Sequence, residues 1–417
     1  MPGGEVRVER GVIRARTVVA LIALVLVSAL CAGRGAAAQE KTQAQQGAPN
    51  PPKINAGSWV LEDAGTGLYL AGKNPDKRMA IASTTKIMVA LIALERGVDL
   101  DKEVTISDQA ERFVGSVYSN VGLISGERLS VRELLVASLV PSGTDADYAL
   151  AEYLGGGGGK AGVENFVDEM NQKAKSMGLK NTHFDNPAGL DSPEHYSSAR
   201  DMAELARAAM KYPVFRDIVD TEQATISTQN REIQVYTTNN LLYTYPPAIG
   251  IKTGTSPEAG PCLVAAAKKG DESYIAVLLD ASSDEYRFTA AQKLFDFGFA
   301  EYEREALVRK GQVYDKVGLP YRRDEVVGLS AARDVPGLAG PGLEVERRET
   351  TKEAPPAARA GEELGTVEVL VDGKSVGSSP LVTQKGYEEA SLWQKIRYWT
   401  SGAVNSVSGW ISGLSSS

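Results

Sequence analysis

Met79–Leu94 reads MAIASTTKIMVALIAL. Ser83, Thr84, Thr85 and Lys86 stand directly before eight apolar residues, Ile87 to Leu94. A run that is apolar all round predicts a helix buried on every side. Residues three apart share a helix face, so Ser83 and Lys86 can meet at its head. Desolvation disfavours an ammonium ion. A lysine kept neutral beside a serine can take its proton and leave a nucleophilic alkoxide. The stretch therefore predicts a deep helix carrying a hydroxyl and a base at its mouth. Alone, S-x-x-K is a weak signal, because serine is a common helix N-cap and lysine a common solvated residue.

The flanking sequence supplies the rest of a fold. SWVLEDAGTGLYLAG, residues 58–72, alternates strand residues around Asp63, Gly65 and Gly67 and predicts a β-hairpin. SVRELLVASLV and TDADYALAEYLGG have helical spacing, and the glycines Gly155 to Gly159 end the second. REIQVYTTNN, GPCLVAAAKKG and ESYIAVLLDA read as strands, and DEYRFTAAQKLFDFGFAEY as a closing helix. Strands at both ends with helices between give an α+β class, with helices on a mainly antiparallel sheet.

The chain has 417 residues, 43% hydrophobic and 24% charged, with a net charge of -8. That length suits two or more domains. The acidic balance and the lack of a basic cluster argue against a nucleic-acid partner. Arg7, Arg10, Arg14 and Arg16 precede an apolar run from Val18 to Ala32, and Ala36–Ala38 forms an A-x-A site. This is the pattern of a signal peptide over residues 1–38, and the alternative is an uncleaved anchor. Leu30 before Cys31 is too large for a lipoprotein cleavage site. Removal of the signal leaves Cys262 as the sole cysteine, so no disulfide can form within the chain.

Residues 39–56 are polar and Pro-rich and suit a disordered linker. A globular unit is expected over 57–302. After Tyr302, short strand-like runs separated by Gly, Pro and charges predict a small all-β domain over 303–386, with a mobile loop in its middle between Val335 and Gly361. Residues 387–417 place Leu392, Ile396, Trp399, Ala403, Val407, Trp410 and Leu414 every three or four positions. Three of the four tryptophans lie in this tail. It reads as an amphipathic helix for a membrane surface, against the plainer alternative of a terminal helix packed on the protein.

Two further motifs follow the first in order. Ser142-Gly143-Thr144 stands just before a helix, and Lys252-Thr253-Gly254 at the start of a β-hairpin. Each alone is an ordinary turn. Together, S-x-x-K, S-x-T and K-T-G form a specific constellation. With the blocks NTHFDNPAGLDSPEHYSSARDMA, TNNLL, GIKTGTSPEAGPCLVAAA and YRFTAAQKLFDFGF, the chain from about Ala56 to Tyr302 resembles the serine D-alanyl-D-alanine carboxypeptidases, the low-molecular-mass penicillin-binding proteins. The β domain and tail also match that family's layout.

The resemblance implies a penicillin-binding, β-lactamase-like fold: a five-stranded antiparallel sheet flanked by helices, followed by a small all-β domain. It implies an exported enzyme at the outer face of the cytoplasmic membrane or in the cell wall. Its substrates would be peptidoglycan stem peptides and its inhibitors β-lactams, and it would need no cofactor or metal. Ser83 would be the nucleophile, Lys86 the general base and Ser142 a proton relay to the departing D-alanine. The N–H groups of Ser83 and Thr255 would form the oxyanion hole. Lys252 would add positive potential, Gly254 would complete the K-T-G edge, and Thr253 and Arg287 would hold the terminal carboxylate.

Thr144 stands where the family usually has Asn. A hydroxyl lacks the reach and the two donors of an amide, so slower or altered turnover is expected. Ile81 replaces the family's usual proline, which is read as a packing change.

Competing readings are a class A β-lactamase, for which no water-positioning glutamate loop stands out, and a non-catalytic cell-wall binding or scaffold protein. A zinc peptidase would have to use His183, His195 and Asp185. Cys262, at the start of an apolar strand, reads as a structural thiol and not as a nucleophile.

Overall fold

The computed structural model describes residues 49–156 and 158–400. The expected signal segment, most of the linker and residues 401–417 of the tail lie outside the described residues.

The predicted hairpin is formed by β1 (Ala56–Asp63) and β2 (Tyr69–Lys73). Its turn is fixed by Asp63, whose Oδ2 accepts from Thr66 N at 2.8 Å and Thr66 Oγ1 at 2.6 Å. Three strands from far along the chain join it: β3 (Ala248–Ser256), β4 (Gly260–Lys269) and β5 (Glu272–Ala281). The order is β2-β1-β5-β4-β3, and every neighbouring pair is antiparallel.

β4 and β5 are apolar almost without a break because both faces of the sheet are covered. Cys262, Val264 and Ala266 of β4, with Ile275, Val277 and Leu279 of β5, enter one core. Leu263, Ala265 and Ala267, with Tyr274, Ala276 and Leu278, enter the other. The first core is closed by α1 (Lys86–Glu95), α2 (Val131–Leu139), α3 (Thr144–Leu154), α4 (Gly159–Ser176) and α5 (Ala199–Ala209). The second is closed by α6 (Asp284–Glu301).

Every residue of α1 from Lys86 to Ala93 is buried, as its composition predicts. Burying one large aliphatic side chain is worth roughly 1.5–3 kcal/mol, so Ile87, Met88, Leu91 and Ile92 alone anchor this helix firmly. α2 starts at a capping box: Ser130 Oγ accepts from Glu133 N, and Glu133 Oε2 accepts from Ser130 N.

Between Tyr302 and Thr383 the regular elements of the described residues are strands alone, joined by turns and loops. A second five-stranded sheet runs in the order Val313–Gly318, Val326–Ala331, Lys374–Thr383, Glu363–Val371, Val345–Thr351, beside a pair formed by Glu303–Val308 and Val335–Ala339. Much of the stretch expected to be a mobile loop is therefore strand, held by pairing with distant segments. This unit shares the α6-side core through Leu307, Val308 and Leu381. Arg304 Nη2 donates to Asp63 Oδ1 at 2.7 Å, and Lys374 Nζ to Gly67 O at 3.0 Å. The start of the tail, residues 392–400, is helical and leaves Leu392, Trp393 and Trp399 exposed. Among the described residues, no helix is long and apolar enough to cross a membrane.

Candidate active site

The nucleophile candidate sits in a single 3₁₀ turn, Ala82–Thr85, that leads into α1. Ala82 holds φ +45, a left-handed conformation that costs energy for any residue with a Cβ. Two glycines make room for this turn. A Cβ on Gly254 would lie 2.9 Å from Ile81 O and 3.0 Å from Ser83 N. A Cβ on Gly189, which has φ +85, would lie 1.9 Å from Ala82 O. The Gly189 loop is gathered by Asn186, whose Oδ1 accepts from the N–H groups of Ala188, Gly189 and Leu190. The K-T-G glycine of β3 thus lies directly against the S-x-x-K turn. The motif occupies positions five to seven of nine-residue β3, the first strand of the β3–β4 hairpin, which starts four residues before the motif.

Lys86 is fully buried one turn inside. Its amine meets more than the apolar surroundings the sequence predicted. Nζ forms an ion pair with Asp147 Oδ2, both side chains being inaccessible to solvent. Asp147 Oδ1 accepts from Ser138 Oγ at 2.5 Å. Burial pushes the Asp147 carboxyl up to about 6, against the lowering effect of Lys86. Lys86 Nζ reaches Thr144 Oγ1 only at 3.5 Å, the outer limit of a hydrogen bond.

Ser142 precedes α3 in a left-handed conformation, φ +69, and is buried. The adjoining backbone is held by Gly143 N to Ala137 O and Thr144 N to Ser119 O, each 2.8 Å. Asp145 fixes the neighbouring loop by accepting from the N–H groups of Val121 and Leu123.

Along β3, Lys252 is buried and donates to Thr253 O at 3.0 Å. Burial, then the charge of Lys86, brings its amine well below the usual lysine range, against the opposing charge of Asp147. Thr253 Oγ1 lies 2.5 Å from Thr238 Oγ1. Arg287, on α6, spends its fork on protein groups: Nη1 donates to Thr255 Oγ1 at 2.8 Å and to Gly254 O at 3.0 Å, and Nη2 pairs with Asp284 at 3.2 Å. It braces the exposed Thr255 hydroxyl rather than reaching past it.

The histidines have other work. His195 Nε2 pairs with Thr85 Oγ1 at 2.7 Å, beneath the nucleophile turn, and burial brings its imidazole down to about 4, so it is neutral. His183 Nδ1 meets Glu194 O at 2.6 Å on the surface. Cys262 is buried, and burial pushes its thiol up to about 12, which suits the structural reading. The sequence reading missed Asp147, Ser138, Asn186 and Gly189. For Asp147 a signal existed, since it lies three residues after Thr144 and so shares its helix face.

A serine on a tight turn, a buried lysine at the head of the helix that follows, and a Gly-containing strand of an antiparallel sheet beside them are parts an acyl-transfer serine enzyme needs. Residues 44–283 match the family described as D-alanyl-D-alanine carboxypeptidase. D-alanyl-D-alanine carboxypeptidase DacF of Bacillus subtilis is 35% identical over 346 residues, 81% of this chain and 87% of the relative. DacD of Escherichia coli is 33% identical over 367 residues, 84% of this chain and 91% of the relative. Among solved structures, penicillin binding protein 5 of Haemophilus influenzae aligns with a TM-score of 0.64 at 32% identity, covering 82% of this chain and all of the other. A Streptomyces DD-transpeptidase aligns with a TM-score of 0.58 at 39% identity over 60% of this chain. The chain belongs to the D-alanyl-D-alanine carboxypeptidase family.

Proposed function

We propose that the chain removes the terminal D-alanine from peptidoglycan pentapeptide stems through an acyl-serine intermediate. The observation that carries this reading is the Ser83 turn packed against Gly254, with Lys86 fully buried at the head of the helix that follows. Ser83 Oγ attacks the carbonyl carbon between the two D-alanines and its proton passes to Lys86. The oxyanion faces the N–H groups of Ser83 and Thr255, where charge develops. The C–N bond breaks as the departing nitrogen takes a proton through Ser142. Water then attacks the ester, returns a proton to Ser83 and releases the shortened stem. Lys252, Thr253 and the Thr255 hydroxyl braced by Arg287 hold the terminal carboxylate.

Penicillin enters the same cleft and acylates Ser83. The signal-like N-terminus supports export, and the exposed Leu392, Trp393 and Trp399 support a tail resting on the membrane surface. Mass spectrometry after incubation with penicillin tests the assignment. One adduct is expected on Ser83, and none in Ser83→Ala, which also stops D-alanine release from a pentapeptide. An adduct that persists in Ser83→Ala removes Ser83 as nucleophile.

A further inference from the structure

Thr144 leaves a question open: what holds the catalytic amine if the usual amide is gone? The structure assigns this to Asp147. We propose that Asp147 is a positioning residue that anchors Lys86 and sets the pH at which its amine can act as a base. The proposal rests on the reading of Ser83 and Lys86 as nucleophile and base. Asp147 touches neither Ser83 nor the substrate cleft's strand edge in any hydrogen bond; its two oxygens are spent on Lys86 and Ser138.

Three observations carry it. The pair is wholly shielded from water, so each charge depends on the other. Thr144 is too far for a firm bond to Lys86 Nζ. Ser138, projecting from α2, turns the Asp147 carboxylate so that its second oxygen faces the amine. A carboxylate in contact favours the charged form of an amine. Acylation needs that amine without its extra proton, so the carboxylate delays the onset of catalysis as pH rises. The charged groups facing Asp147 are Lys86 from α1 and Lys252 from β3, while Tyr148 beside it on α3 feels its charge.

The test is the rate of acylation by a fluorescent penicillin, measured on the purified chain from about pH 5 to about pH 9. In Asp147→Asn the shape of the side chain is kept and its charge is lost. The acid limb of the profile is expected to move to lower pH by about one unit or more, with the maximum lowered about tenfold by the looser hold on Lys86. Ser138→Ala keeps the experiment decisive should the first variant not fold. Without its hydrogen bond the carboxylate holds a proton more readily, so the limb moves the same way by a few tenths of a unit. A limb that stays in place, or moves to higher pH, in the folded variants overturns the proposal whatever happens to the rate. A parent protein that penicillin does not acylate at all would instead overturn the reading of Ser83 and leave Asp147 without a role to position.

Discussion

At the residue scale, Gly189 presses directly on the turn that carries Ser83. Its φ of +85 and its contact with Ala82 O leave no space for a side chain against the nucleophile turn. Gly189→Ala should therefore shift that turn, lower penicillin labelling at least about tenfold and cost about 1–3 kcal/mol of stability. Labelling kinetics and a thermal melt check both. Labelling at the parent rate would mean that the turn tolerates displacement. None of this was legible beforehand, since a glycine in NPAGLDS looks like any loop glycine. The motif residues were legible because hydroxyl, amine and glycine recur at spacings that chemistry demands. Their partners were harder to see, because Asp147 and His195 act through contacts 61 and 110 residues apart in the chain, and only Asp147, on the helix face of Thr144, left a trace in the sequence. His195 illustrates the limit: the sequence offered reason to set aside a zinc role for it, but nothing near it in the chain pointed to Thr85, which its ring contacts.

Periodicity settled most elements and misplaced few. α1 announced itself by eight consecutive apolar residues, and the β1–β2 hairpin by its turn residues. β3 was harder to read, because Ala248 and Gly250 have little side chain to mark a strand and Pro246 and Pro247 stand just before them, so the strand seemed to begin near the K-T-G motif. In β4 and β5 both faces are apolar, which revealed burial but not which residues meet which core. The start of α2 is a case where local sequence suffices. Ser130 and Glu133 close a capping box before the apolar face begins. Ser130→Ala should cost about 1 kcal/mol in urea unfolding, with the slope against denaturant unchanged. A loss near zero would mean that packing of α2, including the bond from Ser227 N to Glu133 Oε1, fixes this end without the cap.

In the whole molecule, the change of texture after Tyr302 was plain in the sequence, but the joint between the two sheets was not. Glu62 lies buried beside that joint on β1, among Arg200, Arg207, Glu204 and Lys374. Burial pushes its carboxyl up from 4.5 to about 7, with the arginines and Lys374 opposing. The folded state thus binds its proton more tightly than the unfolded chain. Its contribution is intact below about pH 4.5 and is lost as pH rises toward about 7. Glu62→Gln should match the parent in acid and be more stable at pH 8, by up to about 3 kcal/mol. Melts at both pH values check this, and an equal difference at both would exclude the titration as its cause. The clamp on the nucleophile turn has a bearing on the life of the molecule. Its three parts, near residues 82, 189 and 254, are remote in the chain. The turn that carries Ser83 is therefore complete only when the last strands close the sheet. On the function proposed above, a chain whose late strands have not yet joined the sheet would be inert toward penicillin. Covalent capture of the drug would then serve as a clock for completed maturation.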